Sequence, residues 1–96
     1  MIIHVLMFKF KDEVSEEERE GFEKGFIDLE YQMKSILKQE VHHNFNRHQD
    51  YDLLCIVYFR NMDDYNSYDL DEGHRSFARR TKPLLEKLAC VDYEVE

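Results

Sequence analysis

The chain has 96 residues, enough for one module (residues 1–96) that buries roughly two-thirds of its unfolded surface and too few for a second core. Hydrophobic residues make up 43% and charged ones 35%, with one proline and three glycines, a globular composition that excludes a linker-like or disordered chain. The 13 Lys and Arg against 21 Asp and Glu give a net charge of −8, which repels phosphate backbones and anionic headgroups and argues against nucleic acid or a membrane surface as partner.

The first element, IIHVLMFKF from Ile2 to Phe10, alternates as a strand does, with His4, Leu6, Phe8 and Phe10 on one face and Ile3, Val5 and Met7 on the other. Both faces are apolar, so the strand must be covered twice. No 18-residue apolar run and no charged-then-apolar leader is present, which points to a cytoplasmic location. The stretch SEEE then reads as a helix start, with Ser15 capping and Glu18 reaching back. The stripe Phe22, Phe26, Leu29, Met33 and Ile36 predicts the buried face of that helix. Gly21 and Gly25 each weaken it by about 1 kcal/mol relative to alanine, either as a tolerated cost or as room for a close neighbour or ligand.

QEVHHNFNR, from Gln39 to Arg47, reads as a polar strand at a sheet edge. DLLCIVYFR is again apolar on both faces and reads as a central strand. Asn61 caps a second helical stretch that continues to Pro83, with Leu70, His74, Phe77 and Ala78 sharing a face. LACVDYEVE closes the chain as a fourth strand. The order βαββαβ predicts an α+β, ferredoxin-like fold: a four-stranded antiparallel sheet with both helices on one face. The other face, carrying Ile3, Val5, Met7, Leu54, Ile56 and Tyr58, exceeds the ~400 Å² typical of a solvated apolar patch and predicts a homodimer paired sheet on sheet.

HVLMFKFKDEVSEEEREGF, YDLLCIVYF, GHRSF followed by KPLL, and VDYE together resemble the opening strand and helix, third strand, histidine helix and last strand of the stress-responsive A/B barrel family. The resemblance covers nearly the whole chain and implies protomers that pair into a dimeric α+β barrel, a small apolar pocket and no organic cofactor. Pocket positions carried over from the family are His4, Phe8, Phe22, Phe26 and Leu53, together with Tyr68 and His74. Plant polyketide cyclases similar to the family use a tyrosine and a histidine six residues later for acid/base chemistry, and Tyr68 and His74 fall on those positions. The family's HPxH is DEGH here, so Asp71 replaces the first histidine, while Leu53 and Phe26 stand where cyclase-type members carry a histidine and a tyrosine. In the family's strand order Cys55 and Cys90 lie about 9.6 Å apart, two strand spacings, beyond the ~7 Å reach of a disulfide, so both are expected to be core thiols.

Three functional readings stand at this point, a dimer that binds a small metabolite, a cofactor-free cyclase or isomerase with His74 as base and Tyr68 as acid, and a dimeric-barrel monooxygenase, beside a purely structural stress-associated dimer with a filled cavity. Against them stands a structural role for His74 as a hydrogen-bonding core residue. His4 either donates to the same ligand or bonds a backbone group near the chain start. His42 and His43 point to opposite faces of a strand and cannot converge with His48 on one metal ion without a bulge, so no metal site is expected. Arg75, Arg79, Arg80 and Lys82 either complement a helix end or meet an anionic ligand group at the pocket mouth.

Overall fold

The computed structural model describes residues 1–96. The first strand, β1 (Ile2–Phe10), runs through the middle of a four-stranded antiparallel sheet with β3 (Leu53–Phe59) on one side and β4 (Leu85–Glu94) on the other. The edge beyond β3 is β2 (Lys38–His43), giving the order β2-β3-β1-β4. Side-chain alternation on β1 and β3 sends Leu6, Phe8, Phe10, Cys55, Val57 and Phe59 to one face, where they lie buried beneath the helices. Fully burying a side chain of this size contributes about 1.5–3 kcal/mol, so this one face supplies much of the driving force for folding.

Helix α1 (Glu16–Gln32) begins at the expected capping box: the Glu18 amide donates to Ser15 Oγ at 3.1 Å and the Ser15 amide donates to Glu18 Oε1 at 3.2 Å. The expected stripe is buried throughout, but the helix stops at Gln32, and Met33 and Ile36 belong to the turn that follows. Pairing with β3 overrides the helical period there, because the Leu37 amide is already donating to the Tyr58 carbonyl at 2.8 Å. Strand β2 ends earlier than its sequence suggests. Past His43, Asn44 and Asn46 accept hydrogen bonds from the amides of Asn46 and His48, turning the chain out of the ladder.

The second helical stretch is two helices. Asn61 caps α2 (Met62–Leu70), and Asp71, in extended conformation, caps α3 (Glu72–Thr81) by accepting from the Gly73 and His74 amides at 2.7 and 3.3 Å. The break ends the common face expected for Leu70 and His74; Leu70 is 66% exposed. Pro83 sits in a 3₁₀ turn, Lys82–Leu84, and β4 starts at Leu85, three residues before the expected Leu88. A register shift between Lys9 and Phe10 lets this early part of the strand pair.

Both cysteines lie opposite Leu6, one on each flanking strand, as the strand order required. Cys55 is fully buried, but Cys90 is exposed and is not a core thiol. It stands on the edge strand β4, where most positions are open to solvent. On the sheet face away from the helices, Ile3, Val5, Met7, Leu54, Ile56 and Tyr58 continue onto Val91 and Tyr93 of β4 through the ladder pairs Val5–Val91 and Ile3–Tyr93. At one end of this stripe Met7 and Leu54 share a surface pocket with Phe45 and Tyr51 of the segment between β2 and β3. No helix is long and apolar enough to cross a membrane.

Candidate functional site

A cavity of about 350 Å³ opens between β1, the α1 core face, α3 and the start of β4. Its walls are mostly apolar, formed by Leu6 and Phe8 from the sheet and Phe22, Phe26 and Phe77 from the helices. Three polar rings share one end. Tyr68, at the end of α2, stacks on His74, at the start of α3, with ring centroids 4.0 Å apart and planes inclined by 28°. The edge of His4 meets the Tyr68 ring at 5.8 Å. The break at Asp71 allows this stack, since six residues along a continuous helix would not place two side chains face to face.

The three rings differ in how the protein satisfies them. His4 Nδ1 is hydrogen-bonded to Asp92 Oδ1, its neighbour across the β1–β4 ladder, and Tyr65 donates to the other Asp92 oxygen at 2.7 Å. Burial works against the Asp92 carboxylate, but the His4 and Tyr65 hydrogen bonds outweigh it and hold its pKa below the ordinary value. That carboxylate orients the imidazole and takes the hydrogen bond from Nδ1. His74 has no such partner. Its Nδ1 is buried and unpaired; the nearby Tyr68 carbonyl favours the charged ring without reaching hydrogen-bonding geometry. Burial, reinforced by His4, lowers the His74 pKa against the opposing pull of Asp69 and Asp71, so the ring is neutral at pH 7. Tyr68 is buried and its pKa is raised, first by burial and then by the surrounding acidic groups, so the phenol keeps its proton.

This end of the cavity therefore offers a neutral imidazole that accepts a proton and a neutral phenol that donates a hydrogen bond, among mostly apolar walls. Of the residues expected at the pocket, His4, Phe8, Phe22, Phe26, Tyr68 and His74 all line it. Leu53 does not: it is buried opposite Phe8 on β3 and stands outside the cavity. His42 and His43 lie far along β2, each paired with its own carboxylate, Glu40 and Glu23.

Two participants escaped the sequence reading. Asp92 and Tyr65 hold His4, and neither a bond to the backbone nor direct donation to a ligand describes what its Nδ1 does. The available signal was the carboxylates Asp92 and Glu94 at the alternate positions of VDYE, and which of them meets His4 is legible only once the register of β4 on β1 is known. Cys90 Sγ comes within 3.5 Å of both His4 Nδ1 and Asp92 Oδ1. Its pKa is pushed up to about 11, first by burial and then by Asp92, so the free side chain is a thiol at neutral pH.

Comparison with known proteins now adds a decisive match: the model of the stress-responsive A/B barrel domain covers residues 2–95. The chain belongs to that family. Olivetolic acid cyclase of Cannabis sativa is 27% identical over 93 residues, which cover 94% of this chain and 92% of that one. A crystal structure of an Arabidopsis thaliana protein superposes with a TM-score of 0.90 at 26% identity, covering all of this A/B barrel chain and 96% of the other. A dimeric protein with a ferredoxin-like fold from Bacteroides fragilis superposes with a TM-score of 0.78 at 28% identity, over 98% and 95% of the two chains.

Proposed function

We propose that this A/B barrel protein is a homodimer whose cavity binds a small, largely apolar carbonyl compound and moves a proton on it, as a cofactor-free cyclase or isomerase does. His74 accepts a proton from the carbon next to the carbonyl. Tyr68 donates a hydrogen bond, then its proton, to the carbonyl oxygen as charge develops there. His4, held by Asp92, presents Nε2 to the same ligand.

One observation carries this reading. A histidine kept for structure makes hydrogen bonds, because an unsatisfied buried polar atom costs about 1–3 kcal/mol. The His74 ring makes none within the chain, although its Nδ1 is buried. The olivetolic acid cyclase relative, named for a ring closure, supports the same reaction class. Pairing through the open sheet face is supported by its continuous apolar stripe and by the dimeric Bacteroides fragilis neighbour. Sedimentation showing only an 11.7 kDa species at micromolar concentration would remove the dimer.

The activity is tested by NMR, following exchange of solvent deuterium into the carbon between the two carbonyls of nonane-2,4-dione. His74→Ala is expected to reduce the catalysed rate about 10²–10⁴-fold, the usual worth of a positioned general base. Tyr68→Phe should slow it as well, and His42→Ala should leave it unchanged. Equal rates in the His74→Ala and His42→Ala variants would refute the assignment.

A further inference from the structure

The cavity has two chemically different ends. His4, Tyr68 and His74 occupy the inner one, while its exposed lining residues, Ala78, Lys82, Glu86 and Leu88 among them, gather at the other and mark the mouth. Lys82 keeps helical backbone geometry one residue past α3, eight residues from His74. At 1.5 Å per residue that separation is about 12 Å. The wall between is apolar, formed by Leu6, Phe8 and Phe77.

The cations around this mouth are spoken for, with one exception. Lys87 Nζ lies 3.0 Å from Asp50 and 4.9 Å above the Tyr51 ring. Lys9 pairs with Glu86 at 3.8 Å, Arg79 with Glu72 at 2.6 Å, and the Arg80 guanidinium rests 5.5 Å over the Phe77 ring. Lys82 lines the cavity and has no carboxylate partner within the chain. Complementing the end of α3 does not account for Lys82, since Arg79 and Arg80 in its last turn already do so.

We propose that the ligand is amphipathic: a carbonyl among the three rings, an apolar span of about 12 Å along α3, and a carboxylate paired with the Lys82 ammonium at the mouth. This rests on the reading of the cavity as a carbonyl-binding site. The cavity volume of about 350 Å³ lies at the lower end of the range usual for small-molecule pockets, which suits a medium-length keto acid.

Calorimetric titration with three probes tests it: 9-oxodecanoate, its methyl ester and 2-decanone, which share the same ketone end. The acid is expected to bind about tenfold more tightly than the ester at low ionic strength, and the gap should narrow as salt screens the partly exposed pair. Lys82→Gln should erase the difference without weakening the ester or 2-decanone. Lys82→Arg and Arg79→Gln should keep it. If the two neutral ketones bind and the acid gains nothing, or if Lys82→Gln retains the gain, the anionic subsite is wrong while the carbonyl cavity stands. If no probe binds, the cavity reading fails and this inference falls with it.

Discussion

The layer between sheet and helices has two halves that meet different ends. Beneath α1, Phe10, Leu29, Met33 and Ile36 belong to a filled core, and Phe8, Phe22 and Phe26, which meet one another with centroids 5.0–6.5 Å apart, stand at its border and line the cavity. In the half beneath α3 the same strand, β1, offers His4 and Leu6 to a cavity of about 350 Å³. Polar groups at the cavity wall differ among themselves. Thr81, buried at the cavity wall, returns its hydroxyl proton to the Phe77 carbonyl at 2.7 Å and asks nothing of a ligand. His74 leaves its buried nitrogen unpaired. Space alone does not mark a site, since packing defects occur anywhere; space beside an unsatisfied polar atom does.

The contrast breaks most readily through stability. Phe22→Ala removes a ring in contact with Phe8, Phe10 and Phe77, and should cost about 3–5 kcal/mol by denaturant unfolding. His74→Ala removes no hydrogen bond of the ring, and its cost should stay within about 1 kcal/mol. Similar losses in the two variants would show that His74 is part of the framework.

The two glycines of α1 sharpen the same boundary with opposite signs. A Cβ at Gly25 would stand 2.8 Å from Phe77 Cε1, so Gly25→Ala must push that buried ring toward the cavity. A destabilisation of about 1–3 kcal/mol is expected, with weaker ligand binding. Nothing lies within 4 Å of a Cβ at Gly21, so Gly21→Ala should gain up to about 1 kcal/mol from helix propensity alone. Thermal melts of the two variants that move in the same direction would remove the close approach of α3 as the reason for Gly25.

Much of the framework was legible because its signals are local. Two-sided alternation named β1 and β3 as central strands, and Ser15 with Glu18 fixed the start of α1. Boundaries failed where long-range pairing competes with periodicity, as at Met33, where the Leu37 amide is captured by β3, and at Asp71, whose cap splits one expected helix into two. The site was less legible for the same reason. Tyr68 and His74 stack only because the helix breaks between them, and Asp92 reaches His4 across 88 residues of sequence. Cys90 is expected as a core thiol because a disulfide to Cys55 is out of reach, yet that separation cannot say that its edge strand is open to solvent.

The smallest expected effect concerns pH, and it separates the two halves by titration. The apolar half holds nothing that ionises near neutrality, whereas His74 has its folded-state pKa lowered, chiefly by burial. Above the ordinary histidine value of about 6.5 the ring is neutral in both folded and unfolded chains, and it contributes no pH dependence. As pH falls through that value the unfolded chain takes up the proton first, so stability declines until the folded-state pKa is passed. Wild-type protein should therefore lose more stability than His74→Gln between about pH 7.5 and about pH 5, read as the shift in denaturant midpoint. The same neutral base predicts an acid limb in the exchange rate with an apparent pKa below 6.5 rather than above it. Identical midpoint shifts in the two proteins would mean that His74 is as well solvated as an ordinary surface histidine, and the cavity half would lose the property that distinguishes it from the core.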